Sequence, residues 1–312
     1  MERILVVDYG SSYVQDVARE IRSLGVYSEI VFSSAMVQTL TEEEPSGIIL
    51  VGEIPENLPQ ELSSRSIPVL LIPDHADSFS EIEPFLTESC DLMRTWNMNY
   101  YLDHAVKTIR SQVKGGKVIC GLSGGVDSAV AAVLVHRAVG EQLTCIYVDH
   151  GLMRAGETEQ IIKTFRGEFG IPLVHVDARD RFIDKLAGIE DPEEKRKIIG
   201  TEFIRVFEEE AKKIGDAAFL VQGTLYTDVL ESSAEAGALV KSHHNVGGLP
   251  DDLSFALVEP LATLFKDEVR LLGSKLEIPQ EVLGRHPFPG PGLAIRIMGS
   301  VTREKLEILS KA

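Results

Sequence analysis

Short apolar runs separated by stretches of helical periodicity recur along the chain, and that alternation leaves few folds open. Ile4–Val7, Ile48–Val51, Val69–Ile72, Lys117–Leu122, Leu143–Val148, Leu173–Val176 and Phe219–Val221 each read as a buried strand. Between them, Tyr13–Leu24 reads as a helix ended by Gly25, and Val126–Val139 as one closed by Gly140. Tyr100–Val113, Thr158–Phe169 and Ile198–Lys213 read as further helices. Strands alternating with helices predict an α/β fold with parallel sheets. The stretch from Ala76 to Asn99 is rich in acidic and polar residues and has no clear strand. It places a boundary near residue 94 and divides the chain into residues 1–93 and 94–312. No internal repeat and no low-complexity tract interrupts the pattern.

Composition narrows the function classes. With 312 residues, 44% hydrophobic and 25% charged, the chain is long enough for one large or two modest cores. Its 48 acidic and 31 basic residues leave a formal charge of −17, which repels phosphate backbones and argues against nucleic acid as a partner. Cys90, Cys120 and Cys145 are odd in number, lack metal-ligand spacing and read as reduced thiols, the latter two as core packing. The run Ile4–Val7 meets Asp8 too soon for a signal-peptide core, and no apolar stretch approaches the roughly 20 residues of a membrane span. A cytoplasmic enzyme with no membrane partner is expected.

The segment Ser123-Gly124-Gly125-Val126-Asp127-Ser128 stands between a strand and a helix. A glycine-rich turn there turns backbone N–H groups toward the positive end of a helix and forms an anion site. Ser123 and Ser128 can add hydroxyls. Asp127 would repel bare phosphate, so it points to a bridging Mg²⁺. The GK[ST] ending of a Walker A loop is missing, so the turn offers no lysine to a γ-phosphate. The six residues resemble the SGGxDS loop of the ATP pyrophosphatases, which implies cleavage of ATP between its α and β phosphates.

Longer segments make the resemblance specific. Val148-Asp149-His150-Gly151-Leu152-Met153-Arg154, Lys195-Arg196-Lys197-Ile198-Ile199-Gly200, Gln222-Gly223-Thr224-Leu225-Tyr226, the ten residues Lys241 to Pro250, Leu264 to Arg270 and Arg285 to Leu293 resemble the synthetase domain of the GMP synthase family. The likeness runs almost without gaps from Trp96 to the end. It implies an adenine-nucleotide α-hydrolase-like ATP pyrophosphatase domain using ATP and Mg²⁺, with XMP and ammonia as substrates and GMP as product through an adenylyl-XMP intermediate. By that resemblance Ser123, Gly124, Gly125, Val126, Asp127, Ser128, Val148, Gln222, Gly223, Thr224 and Lys266 bind the nucleotide. Asp127 and Asp267 hold the metal, while Asp127, Lys266, Asp228, Glu231, His243 and His244 carry catalysis. Arg196, Lys241, Asn245 and Arg285 bind the substrate nucleotide. A small-residue segment, Ser232–Ala238, resembles a lid. Read alone, Arg196 is a solvated charge in Glu193–Lys197. Read alone, His243 and His244 are surface residues or a metal pair, and metal is the weaker reading because neighbours in sequence do not share a helix face. Thr227 stands where the family has proline.

Arg3–Ile30 resembles the start of a class I glutamine amidotransferase, a flavodoxin-like or Rossmann-like domain. Its chemistry then disappears. Pro73-Asp74-His75 follows the strand that should lead to a cysteine nucleophile, and the segment with its His–Glu pair is absent. His75 reads as a surface residue. The expectation is a degenerate remnant without glutaminase activity, so ammonia comes from solution or from a separate glutaminase subunit. The family's carboxyl-terminal dimerisation domain is also expected to be missing, which leaves the oligomeric state open. Two rivals stand beside the ligase: an ATP-binding regulatory subunit that needs a partner chain to complete the XMP site, and a tRNA-modifying enzyme with the same loop, which the acidic charge disfavours.

Overall fold

The computed structural model describes residues 2–56, 62, 65–74, 79–235, 255–286 and 288–311. The expected ligands Lys241, His243, His244 and Asn245 lie outside these residues, as does His75. The chain forms two compact units, Met1–Tyr101 with Leu230–Lys241, and Leu102–Val229 with Ser242–Ala312.

The first unit is built on a parallel sheet of order β2-β1-β3-β4, from β1 (Arg3–Tyr9), β2 (Tyr27–Phe32), β3 (Gly47–Gly52) and β4 (Val69–Ile72). Ile4 to Val7 and Ile48 to Leu50 are fully buried, as a parallel strand covered on both faces requires. Helix α1 (Val14–Ser23) buries Val14, Val17, Ala18 and Ile21, the spacing of one helical face. It ends before Gly25, whose φ of +83° suits a residue without Cβ. Helix α2 (Met36–Glu42) contributes Met36 and Leu40 to a core with Leu5, Val7 and Leu50. Strand β2 escaped the sequence reading because Ser28 and Glu29 break its apolar run. Ser28 is nevertheless fully buried; its hydroxyl donates to Ala18 O at 2.8 Å and accepts from Arg22 Nε at 3.1 Å. Among the described residues between the sheet and residue 98 there are only short turns, Ile82–Pro84 and a π turn at Phe85–Ser89.

In the second unit, after α3 (Met98–Val113), five parallel strands take the order β7-β6-β5-β8-β9. They are β5 (Lys117–Leu122), β6 (Leu143–Asp149), β7 (Leu173–Asp177), β8 (Ala217–Val221) and β9 (Ala256–Val258). The chain runs from β5 outward through β6 and β7, then crosses to β8 on the other side of β5. The strand order therefore reverses between β5 and β8, the place where open α/β sheets hold ligands at their carboxyl edge. Helix α4 (Val126–Val139) follows β5, and its Val-Ala run is buried on nearly every side. Helix α5 (Glu157–Ile162) passes into a π turn, Lys163–Glu168, where one continuous helix was expected.

The long helix α7 (Pro192–Ile214), preceded by α6 (Arg179–Lys185), begins well before the expected Ile198. Asp191 caps it by accepting from Glu194 N at 2.8 Å, and Pro192 occupies the first turn. The charged run at its start is not uniformly solvated. Lys195 is fully buried, and its Nζ donates to the carbonyls of Ala294, Ile297 and Gly299 at 3.3, 2.8 and 2.7 Å. Those bonds hold the 3₁₀ turn Gly292–Arg296 against α7 and offset the cost of taking a cation from water. Burial lowers the Lys195 pKa from its usual value. Helices α8 (Tyr226–Glu235), α9 (Lys266–Lys275), α10 (Gln280–Leu283) and α11 (Arg303–Ser310) complete the described elements. No helix among the described residues is long and apolar enough to cross a membrane.

Candidate active site

The reversal point is occupied by Ser123–Ser128. Buried Val118, Ile119, Cys120 and Leu122 fix the end of β5, and Gly124, at φ +78°, lets the chain turn sharply into α4. Gly125 is the N-cap residue, and no side chain caps the helix. On its solvent side the turn's amides meet only its own hydroxyls. Gly125 N donates to Ser123 Oγ at 3.4 Å, Ser123 N donates to Ser128 Oγ at 3.3 Å, and Ser128 Oγ donates to Gly125 O at 3.1 Å. Such contacts are readily exchanged for stronger acceptors. Across the reversal point, Gly223 lies so close that an added Cβ would meet Asp127 C at 3.3 Å and Ser128 N at 3.4 Å.

Asp127 turns away from the turn's amides. Both its carboxylate oxygens accept from Lys266 Nζ, at 2.5 and 2.6 Å, and both side chains keep about a third of their surface exposed (32% and 40%). Lys266 is the first residue of α9, which Glu268 caps by accepting from Phe265 N at 2.9 Å. Asp267 is exposed in the same helical turn. Among the described residues no group of three or more His, Cys, Asp or Glu could hold a metal ion alone. The donor set still suits Mg²⁺, which takes one or two carboxylates and fills its shell with phosphate oxygens and water.

A cavity of about 850 Å³ lies beyond the ends of β6 and β7, but three of its four arginines are already engaged: Arg179 with Asp177, Arg181 with Glu202 and Glu209, and Arg303 with Asp180. A smaller one of about 360 Å³ opens beside the glycine turn, lined by Ser123, Val148, His150, Arg196, Phe203 and Pro291 among others. Its apolar lining beside exchangeable backbone donors is the better match to a nucleotide. His150 accepts from Leu152 N through Nδ1 at 3.1 Å, so its proton sits on Nε2. Burial pushes its pKa down to about 4, leaving a neutral imidazole at neutral pH.

The remaining expected residues divide. Gln222 and Thr224 follow β8; Gln222 Oε1 is buried without a partner, and Thr224 Oγ1 donates to Glu259 Oε1 at 2.6 Å. Asp228 accepts from Leu225 N at 2.8 Å and so caps α8. Glu231 is exposed further along α8, in a segment assigned to the other unit. Arg196 is 56% exposed, 3.7 Å from Glu193, on the helical face that reaches the smaller cavity. Arg285 lies behind the turn, where Nη1 donates to Gly124 O at 3.0 Å and Nη2 to Gln160 Oε1. Glu157, Gln160 and Glu259 were not expected from sequence, since each joins the site through a residue distant in the chain, Arg285 for the first two and Thr224 for the third.

A family model described as NAD synthase matches residues 98–192. GMP synthase [glutamine-hydrolyzing] of Halothermothrix orenii is 61% identical over 231 residues, covering 74% of this chain but only 45% of that protein. The corresponding protein of Clostridium botulinum strain Langeland is 41% identical over 409 residues, covering all of this chain and 80% of the relative. That alignment is longer than this chain, so the relative carries segments with no counterpart here. Among solved structures, NMN synthetase from Francisella tularensis matches with a TM-score of 0.47 and 16% identity, covering 69% of this chain and 87% of that one. With full-length coverage at 41% identity, the chain belongs to the GMP synthase family.

Proposed function

We propose that the chain is an ammonia-using ligase that converts XMP to GMP at the expense of ATP, releasing AMP and pyrophosphate. The observation that carries this reading is the Ser123–Ser128 turn at the strand-order reversal, with its amides on exchangeable hydroxyls and Lys266 beside it. The β and γ phosphates displace the hydroxyl contacts and take the amides. Asp127, with Asp267, would hold Mg²⁺, which would supply charge neutralisation to the phosphates. Lys266 exchanges the Asp127 carboxylate for the departing pyrophosphate, so each charged group keeps an opposite partner throughout. The Val148 backbone reads adenine from the smaller cavity, and Gln222, Gly223 and Thr224 bind the nucleotide from the end of β8.

The 2-oxygen of XMP attacks the α-phosphorus, and ammonia displaces AMP from the adenylyl-XMP so formed. Orientation and charge stabilisation carry the step without a covalent nucleophile. Arg196, Lys241 and Asn245 bind XMP, and Asp228, Glu231, His243 and His244 assist catalysis, as the family resemblance implies. Residues 1–93 form a remnant without glutaminase activity, and residues 94–312 the synthetase. The cysteine of residues 1–93 supports the remnant reading: burial raises the Cys90 pKa to about 11. A nucleophilic thiol needs the opposite shift.

The test is direct. Protein, Mg-ATP, XMP and ammonium are mixed, and GMP and pyrophosphate are measured; glutamine then replaces ammonium. Product from ammonium and none from glutamine supports the reading. A second reading, an ATP-binding subunit that needs a partner chain to complete the XMP site, keeps the same turn and the same pairing of Lys266 with Asp127. It predicts Mg-ATP binding with no product.

A further inference from the structure

We propose that Arg285 is a positioning residue: it sets the orientation of the Gly124–Gly125 peptide so that the Gly125 N–H faces the phosphate, rather than gripping the phosphate of the substrate nucleotide. This inference rests on the nucleotide reading of the turn and names what prepares it.

Arg285 follows α10, whose Val282 and Leu283 are buried. Leu283 fits where Gly273 has no side chain; a Cβ there would stand 2.4 Å from Leu283 Cδ2. The helix stops as Gly284 N donates to Gln280 O at 2.8 Å, and the next side chain enters the space behind the turn. The Arg285 side chain is only 13% exposed, with Glu157 Oε1 3.7 Å away as its counter-charge and Gln160 taking Nη2. The remaining contact, Nη1 to Gly124 O at 3.0 Å, is therefore made by a cation already fixed in place.

A trans peptide is planar, with its C=O and N–H pointing in opposite directions. Holding Gly124 O toward Arg285 sends Gly125 N–H the other way, toward Ser123 Oγ and solvent. The peptide between two glycines is the one in the turn that can rotate with least steric resistance. Something outside it must choose its direction, and Arg285 is the charged donor that does so. Met153 and Ile161 fill the remaining space, 3.2 and 3.3 Å from where a Gly124 Cβ would be.

Calorimetry with Mg-pyrophosphate, on the full chain, separates the alternatives. Arg285→Met is expected to weaken Mg-pyrophosphate and Mg-ATP by roughly ten- to hundredfold, the range of one charged hydrogen bond. Adenosine affinity and the KM for XMP should be unchanged. Millimolar guanidinium should restore part of the pyrophosphate affinity, a rescue that general loosening of the fold would not show. Should Arg285→Met fail to fold, Arg285→Lys is expected to fold and to weaken pyrophosphate by a smaller factor. Unchanged pyrophosphate affinity in the folded variant, or a defect confined to XMP, overturns the proposal. A wild-type chain that binds neither Mg-pyrophosphate nor Mg-ATP overturns the nucleotide reading beneath it.

Discussion

The turn after β1 and the turn after β5 start alike and end differently. Each leaves a buried parallel strand, passes through a glycine at strongly positive φ (+88° at Gly10, +78° at Gly124) and enters a helix. In the first unit the amides are already taken. Asp8 Oδ1 accepts from Gly10 N at 2.8 Å and from Ser11 N at 3.1 Å, while Ser11 Oγ accepts from Tyr13 N at 3.1 Å. In the second unit the carboxylate comes after the glycines and goes to Lys266, so only hydroxyls face the amides. A left-handed glycine at a strand-to-helix turn is thus not what makes an anion site. What matters is whether the chain has put its own anion there first.

Transplanting the seal gives the largest expected effect. Ser123→Asp should place a carboxylate among the amides of the second turn and lower Mg-ATP affinity by about hundredfold or more, read by calorimetry; unchanged binding would break the comparison. Next, Lys266→Met should leave Asp127 without its cation and reduce GMP formation by about 10²- to 10³-fold, with the folded spectrum retained. Full turnover in that variant removes Lys266 from the chemistry.

The third test concerns the cavity beside the open turn. His150 is neutral in the folded state with a pKa of about 4, below the 6.5 of an exposed histidine. The unfolded chain therefore takes up the proton first, and stability falls as pH drops from 6.5 toward 4, then levels off. His150→Asn, which keeps an acceptor for Leu152 N, should remove about 3 kcal/mol of that decline in chemical denaturation across this window. Parallel curves for the two proteins would show that His150 is not the source. Smallest is the effect of removing the native seal. Asp8→Ala should cost about 1–3 kcal/mol of stability through two orphaned amides and leave Mg-ATP affinity as it was. A matching loss of nucleotide affinity would mean that the two turns are not independent.

What was legible from sequence followed from local order. Parallel strands, buried on both faces, appear as apolar runs, and the Ser-Gly-Gly-Val-Asp-Ser segment names its own strand and helix. The pairing of Lys266 with Asp127 spans 139 residues and that of Arg285 with Gly124 spans 161, so no spacing rule could announce either contact. Resemblance brought both cations toward phosphate, but it could not distinguish one beside the turn from one behind it. Other misses were avoidable. Asp191-Pro192-Glu193-Glu194 is a strong helix start, and it was passed over because the hydrophobic periodicity becomes clear only at Ile198. Strand β9 is three residues long, too short for alternation to register. Charge alone also cannot show that in Glu193–Lys197 Arg196 stays exposed while Lys195 turns inward.

That inward lysine has a practical consequence. An amine enclosed by carbonyls of a distant segment is shielded from acylating reagents however reactive its free base would be, and it becomes available only when the 3₁₀ turn lifts from α7. In a timed acetylation read by mass spectrometry, Lys195 should be modified last among the described lysines, and its rate should report how often this corner of the second unit opens.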